Sequence, residues 1–280
     1  MLRKVTLLAA ALVLVGGPAL AAAKVREPNE IAFSFEGPFG RYDQAQLQRG
    51  YKVYREVCSA CHSMNLVAFR NLGDAGGPFF DPKYPNPNDN PVVKALAADT
   101  QIGDIDGETG DAIKRPGIPA DKFPAPFAND AAAKASNGGV APPDLSLIAK
   151  AREGGPAYIA SLIAGFGTPP AGLTVPAGLN YNPYFPGDVS ANWTGDHAHT
   201  PPGGFIAMAP PLTADQVTFD DGTKSTIKQQ AEDVAAFLMW TAEPKMEERK
   251  HMGFSVLIFL ILFSGLLYAS YRRVWRDESH

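Results

Sequence analysis

Two apolar runs lie near the ends of the chain, and the stretch between them alternates periodic segments with segments full of proline and glycine. The first run, Val5 to Val15, follows Arg3 and Lys4 and ends in small residues, Ala19-Leu20-Ala21 and Ala21-Ala22-Ala23. A basic start, a short apolar centre and a small-residue cleavage site predict a secretory signal peptide over residues 1–23, with the mature chain starting near Ala22 to Lys24. The second run, Met252 to Tyr271, is broken only by small residues such as Gly253, Ser255, Ser264 and Gly265. Its length at ~1.5 Å per residue reaches roughly 30 Å, enough to cross a hydrocarbon core. Lys245, Arg249 and Lys250 precede it and Arg272, Arg273 and Arg276 come after it, so flanking charge does not orient it. The signal peptide does, by committing the polypeptide between it and the span to export. The expected organisation is an exported domain over 24–246, a membrane approach and transmembrane helix over 247–271, and a cytoplasmic tail over 272–280.

Within the exported part, Asp43 can cap a helix in which Leu47, Tyr51, Tyr54 and Cys58 recur every three or four residues on one face. Asn90 before Pro91 predicts a helix start running to about Ala98. Two more helices are expected over Asp144 to Arg152 and Ala157 to Phe166, separated by Gly154-Gly155, and another over Ile227 to Thr241. Prolines and glycines are expected to prevent regular structure from Asp74 to Asn88 and from Pro169 to Pro186. Val217 to Gly222 with Ser225 reads either as a hairpin or as the lead into the helix near Thr226, and Pro244 marks a kink or a new helix start. The fold class is mainly α: one domain with long Pro/Gly-rich loops and one C-terminal transmembrane helix.

Composition agrees, with 27 Gly and 25 Pro in 280 residues: rich in loops but short of low complexity. From Lys24 to Met246 there are 25 acidic residues against 18 basic ones, which disfavours nucleic acid and favours a basic diffusing partner. Asp99, Asp104, Asp106, Glu108 and Asp111 cluster; they read as a docking patch or equally as a solvated acidic loop.

The chain's two cysteines, Cys58 and Cys61, stand in "VCSACHSM" with His62 directly after them. A disulfide over two intervening residues closes too small a loop to constrain the unfolded chain much. A thioredoxin-like pair needs a strand before it, where a helix is predicted. Zinc held by Cys58, Cys61, His197 and His199 is a competitor, although His197 and His199 are closer together than usual and His62 is left unexplained. Cys-x-x-Cys-His in an exported chain fits covalent attachment of haem c, with thioethers at the cysteines and His62 on the proximal side of iron. A second axial ligand is then sought among the methionines. Met64 is too near His62 to reach the opposite face. Met239 lies in a helical run beside Val234, Phe237 and Leu238, and Met246 and Met252 belong to the membrane approach. Met208 lies in "GFIAMAPPL", a segment stiffened by Pro210 and Pro211, and is favoured; His197 and His199 remain rivals.

"REVCSACHSM", "PPDLSLIAKAREGGPAYIASLIAGF", "NYNPYFPG", "AMAPPL" and "AEPKMEERKHMGF" followed by one span, in order from about Phe33 onward, resemble the cytochrome c1 family in its bacterial form. That family supplies the haem subunit of the cytochrome bc1 complex, a quinol–cytochrome c oxidoreductase. The resemblance implies cytochrome b and a Rieske iron-sulfur protein as partners, a soluble basic or membrane-tethered c-type cytochrome as electron acceptor, a dimeric multisubunit complex, and a bacterial inner membrane with the haem domain periplasmic. It also implies one haem bound through Cys58, Cys61, His62 and Met208, with Asn137, Arg152 and Tyr158 near its propionates. Two departures stand out. "DVSANWTGDHAHTPPGGFI", from Asp188 to Ile206, lengthens a connection that is often shorter in the family, and no cysteine remains for the disulfide that braces some bacterial relatives. A c-type haem enzyme or sensor with an open iron position is the alternative reading.

Overall fold

Asp43 opens the first helix by accepting a hydrogen bond from the Gln46 N–H at 3.0 Å, so that one of the helix's unpaired N-terminal donors is satisfied. The helix, α1, spans Gln44–Glu56 and buries Leu47, Tyr51, Val53 and Tyr54, the face that the spacing predicted. The computed structural model describes residues 25–276. The expected signal segment and the last four residues of the tail lie outside the described residues.

Helix α2 spans Pro91–Ala98; its cap, Asn90, is buried and accepts from Val92 N and Val93 N at 2.9 and 3.3 Å. Two antiparallel strands come next, β1 (Gln101–Ile105) and β2 (Ala112–Pro116), so part of the acidic segment is a hairpin. A short α3 occupies Asp130–Ser136, and α4 occupies Gly155–Ala164 behind Gly154, which stands at φ 79°. Strand β3 (Asn180–Asn182) pairs antiparallel with β4 (Gly204–Ile206). Helix α5, Ile227–Ala242, is capped by the Thr226 side chain on Gln229 N, and Pro244 separates it from α6, Met246–Val274. Pro244 therefore marks a helix start, and Val217 to Gly222 lead into α5 through turns rather than forming a hairpin.

The core lies where α1 and α4 pack on α5. The α1 and α5 backbones approach closely: a Cβ on Gly50 would stand 2.1 Å from the Asp233 carbonyl oxygen. Around that crossing, Tyr51, Tyr54 and Phe237 are joined by Phe123, which stacks on Tyr54 with ring centroids 5.9 Å apart and meets Phe69 at 4.7 Å. Aromatic rings in these offset and edge-on arrangements add to the energy of burying their area. This cluster fills the space behind the turn that carries the cysteines.

Two expectations are corrected. Asp144 to Arg152 is a run of turns, not a helix. Its first residues bond sideways to the segment after His62, Leu145 N to Ser63 O at 2.9 Å and Leu66 N to Ser146 Oγ at 3.1 Å, while later ones make tight three-residue turns such as Ile148 N to Leu145 O. The other is that Pro169 to Pro186 is not wholly irregular, because β3 finds its partner in the far end of the 188–206 insertion. That insertion folds over a satellite core of Leu173, Tyr181 and Val189 with Trp193 and Phe205 against it. Tyr181 Oη donates to Pro202 O at 2.6 Å and Thr174 N to Asn192 O at 2.9 Å.

Helix α6 has 29 residues, about 44 Å at 1.5 Å per residue, and is long and apolar enough to cross a membrane. From Met252 onward its side chains face outward, unburied by the rest of the chain.

Candidate metal centre

At the end of α1 the chain tightens into a 3-10 turn, Cys58–Ala60, in which Cys61 N and His62 N both donate to Cys58 O at 3.1 and 2.9 Å. Ser59 Oγ donates back to Arg55 O at 2.7 Å. The turn holds Cys58 and Cys61 three residues apart in one bonded turn, and His62 leaves at its end.

The His62 ring is oriented from outside this turn. Its Nδ1 lies 2.8 Å from Pro143 O. A carbonyl can only accept, so Nδ1 carries the hydrogen and Nε2 keeps its lone pair free for a metal. Burial lowers the His62 pKa, opposed by Pro143 and Asp144, which favours the neutral ligating form. Asp144 fixes the segment beyond: it accepts from Ser63 Oγ at 2.9 Å, Asn65 N at 2.8 Å and Ser146 N at 2.8 Å. Burial alone would raise the Asp144 pKa, but these donors together hold it below the usual carboxylate value. Pro143 and Asp144 escaped the sequence reading. An Asp two residues before a Ser, "DLS", is a turn signal that could have exposed the second of them.

Cys58 is the more buried cysteine, and burial, reinforced by Cys61, pushes its thiol up to about 12. No disulfide joins the pair. Among the described residues no group of three or more His, Cys, Asp or Glu is arranged to hold a metal ion, so the four-ligand zinc grouping with His197 and His199 is not assembled. Those two histidines sit on an exposed 3-10 turn, and His199 Nδ1 is 2.9 Å from Asp196 Oδ2. Two thiols in one turn and a neutral imidazole with a free Nε2 do fit a covalently attached haem.

The methionines separate clearly. Met64 and Met246 are buried in the core, at 0% and 3% exposure, Met239 packs against it, and Met252 is exposed on α6. Met208 is half-buried in a bend after β4, its carbonyl held by Asn180 Nδ2 at 3.3 Å, with Pro210 and Pro211 following. Its position is therefore set by the small sheet that the insertion builds. Of the three residues expected near propionates, Tyr158 is buried on α4 with Arg152 close enough to act on it electrostatically. Burial raises the Tyr158 pKa, opposed by Arg152. Arg152 is exposed and bonds Ala151 O, while Asn137 ends α3 with its Nδ2 on Ala133 O at 2.7 Å. No direct contact draws Asn137 toward the other two.

Residues 33–278 match the Cytochrome C1 family. The chain belongs to that family. It is 43% identical to "Cytochrome c1" of Rhodospirillum rubrum over 99% of this chain and 98% of that protein. It is 44% identical to "Cytochrome c1, heme protein, mitochondrial" of Saccharomyces cerevisiae over 82% of this chain and 66% of that one. It is also 45% identical to "Cytochrome b/c1" of Bradyrhizobium diazoefficiens, covering 90% of this chain but only 36% of that longer protein. The cytochrome c1 family membership and the observed helices agree with the mainly α reading and the single C-terminal apolar helix.

Proposed function

We propose that the chain is the haem-carrying, membrane-anchored electron-transfer subunit of a cytochrome bc1 complex, passing electrons from a Rieske iron-sulfur protein to a soluble c-type cytochrome. The orientation of His62 by Pro143 O carries this reading, because it leaves Nε2 free at the end of the Cys58–Cys61 turn. Membership in the cytochrome c1 family supports it, as does a relative named for cytochrome b and c1 together.

When bound, haem c supplies one-electron chemistry between Fe(III) and Fe(II). Cys58 and Cys61 would hold one such group through thioethers, and His62 and Met208 would supply ligands to its iron. A neutral His62 keeps its lone pair on Nε2, and its Nδ1–H is fixed by Pro143, which makes the ring a stronger and better-aimed ligand. Arg152, Tyr158 and Asn137 would offer donors to the propionates. None of these side chains has to move a proton during electron transfer, so their task is positioning.

The organisation proposed with this function is a removed leader at 1–23, a periplasmic domain over 24–246, the bilayer crossing within 247–271 and a cytoplasmic tail at 272–280, in a bacterial inner membrane. Cytochrome b would pack beside α6 within a dimeric complex. Tethering the domain to the membrane raises its effective concentration beside a membrane partner without new contacts.

The test is a spectrum of the purified full chain. Pigment that stays with the protein through acid-acetone extraction, and a reduced band unaltered by carbon monoxide, are expected. Met208→Ala should open the position to carbon monoxide and lower the midpoint potential. Pigment that extracts freely, or a wild-type spectrum that carbon monoxide changes, would point instead to another haem chemistry with an open iron.

A further inference from the structure

Phe39 is 77% exposed, more than Ile261 in the middle of the apolar helix at 70%. It stands at the tip of a tight turn from Glu36 to Gly40 whose shape is fixed. Gly37 takes φ 70°, and a Cβ on Gly40 would lie 2.0 Å from Glu36 O, so the turn closes only with glycine at that point. Arg41 N bonds Ser34 O at 3.0 Å, and Phe35, just before the turn, stacks on Phe33 with centroids 4.9 Å apart. Lys250, on the first turns of α6, donates from Nζ to Phe35 O at 2.6 Å and to Gly40 O at 3.1 Å. One ammonium thus ties both ends of the turn to α6.

The consequence is a defined height for Phe39. Its ring meets Phe254 edge to face, with centroids 6.0 Å apart. Phe254 lies two residues, about 3 Å along the axis, past the start of the apolar run at Met252. At that level the basic residues Lys245, Arg249 and Lys250 give way to outward-facing apolar side chains, the change of character expected where headgroups meet acyl chains. Phe39 therefore extends the lipid-facing surface of α6 sideways, on a turn held rigidly against it.

We propose that the Glu36–Gly40 turn is a second membrane contact, inserting Phe39 into the interfacial layer of the bilayer beside α6. This rests on the reading of α6 as a bilayer span. The occupant is lipid rather than a second protein surface because the ring is continuous with side chains that would face lipid at the same depth, and interfacial aromatic rings gain from that environment. Together with α6 the turn gives the domain two membrane contacts, which would restrict its tilt as well as its distance from the bilayer.

The experiment places a nitroxide label at Phe39→Cys in the full haem-loaded chain, reconstituted in vesicles of phosphatidylcholine and phosphatidylglycerol. Ile261→Cys is the reference inside the span and Ile118→Cys the reference on the exported domain, where Ile118 is 53% exposed. Collision with oxygen is compared with collision with a water-soluble nickel chelate. An oxygen-to-nickel ratio at Phe39 well above that at Ile118 and approaching that at Ile261 is expected. A ratio matching Ile118 while Ile261 stays protected overturns the proposal and leaves the span intact. Low access to both reagents at Phe39 means that a second copy of the chain covers the ring, and also overturns it. If Ile261 itself matches Ile118, the span fails and the proposal falls with it.

Discussion

Nε of Arg49 lies 2.8 Å from Oδ2 of Asp233, across the crossing of α1 and α5, and the Asp233 side chain is fully buried. Nη1 of Arg49 reaches outward to Asp221 at 2.7 Å, and Gln229 Nε2 adds a donor to Asp233 at 2.9 Å. Burial raises the Asp233 pKa above 3.8, and the hydrogen bonds from Arg49 and Gln229 offset that only in part. A carboxyl whose folded pKa is raised contributes stability that is fully present below its unfolded value and is lost as pH rises through the folded value. Removing Arg49 takes away the largest opposing influence, so the loss should grow. Arg49→Met is therefore expected to destabilise by about 2–4 kcal/mol at pH 7 and by clearly less near pH 4.5. Guanidinium unfolding at both pH values checks this, and an equal loss at both would show that Arg49 does not shift the Asp233 titration between them.

Gly50 sits beside Arg49 for a separate reason. Alanine is the better helix former by about 1 kcal/mol, yet its Cβ would meet Asp233 O at 2.1 Å and Phe237 Cβ at 2.7 Å. Neither neighbour is the free end of a flexible side chain, so the helices would have to part. Gly50→Ala should lower stability by roughly 1–3 kcal/mol net despite the gain in propensity. A midpoint that rises instead would mean that the crossing is looser than the structure shows.

Asp144 aligns the segment beyond His62. Three donors, from Ser63, Asn65 and Ser146, converge on one carboxylate, and charge-assisted bonds of this kind are about twice as strong as neutral ones. Asp144→Ala is expected to destabilise the domain by about 2–4 kcal/mol and to reduce the fraction of chain recovered with attached pigment. Asp144→Asn, which can still accept through one oxygen, should fall between the two. Measuring pigment per polypeptide alongside the unfolding midpoint separates a positioning effect from a general loss of stability.

How legible each element was in the sequence depends on the range of the forces that shape it. Helices α1, α2 and α5 carry their own caps at Asp43, Asn90 and Thr226, and α1 and α5 carry periodic apolar faces as well, so local chemistry suffices. The cysteine turn is equally local. The failure at Asp144 to Arg152 came from partners about 80 residues away, since the Asp144 and Ser146 side chains are taken up by Ser63, Asn65 and Leu66, and Leu145 N bonds Ser63 O. Strand β3 was missed for the same reason, its partner lying at the far end of a proline-rich insertion. Met208 was singled out by its stiff flanks, but only the β3–β4 pairing shows what sets its position. His62 was readable as a ligand, whereas the carbonyl that fixes its tautomer was not.

The acidic segment from Asp99 to Asp111 is less free than its composition implied. Asp99 pairs with Arg55, Asp104 lies 2.6 Å from Arg115 Nε, and Asp106 accepts from Glu108 N and Thr109 N in the β1–β2 turn. The same Arg115 grips Asp121 with two donors, at 2.6 and 2.9 Å, and tethers the hairpin. Charge already neutralised by a neighbour adds little to a long-range field, so steering of a basic partner would fall to Asp106, whose charge meets only backbone N–H groups, and to the pair Glu108 and Asp111. Replacing both by amides is expected to slow reaction with a basic c-type cytochrome several-fold at low ionic strength and to flatten its salt dependence, with the hairpin unchanged. Asp104→Asn should do the reverse, loosening Arg115 with little effect on the salt slope. Stopped-flow oxidation rates over a range of salt concentrations decide between them, and identical slopes for wild type and the double variant would mean that the hairpin plays no part in docking.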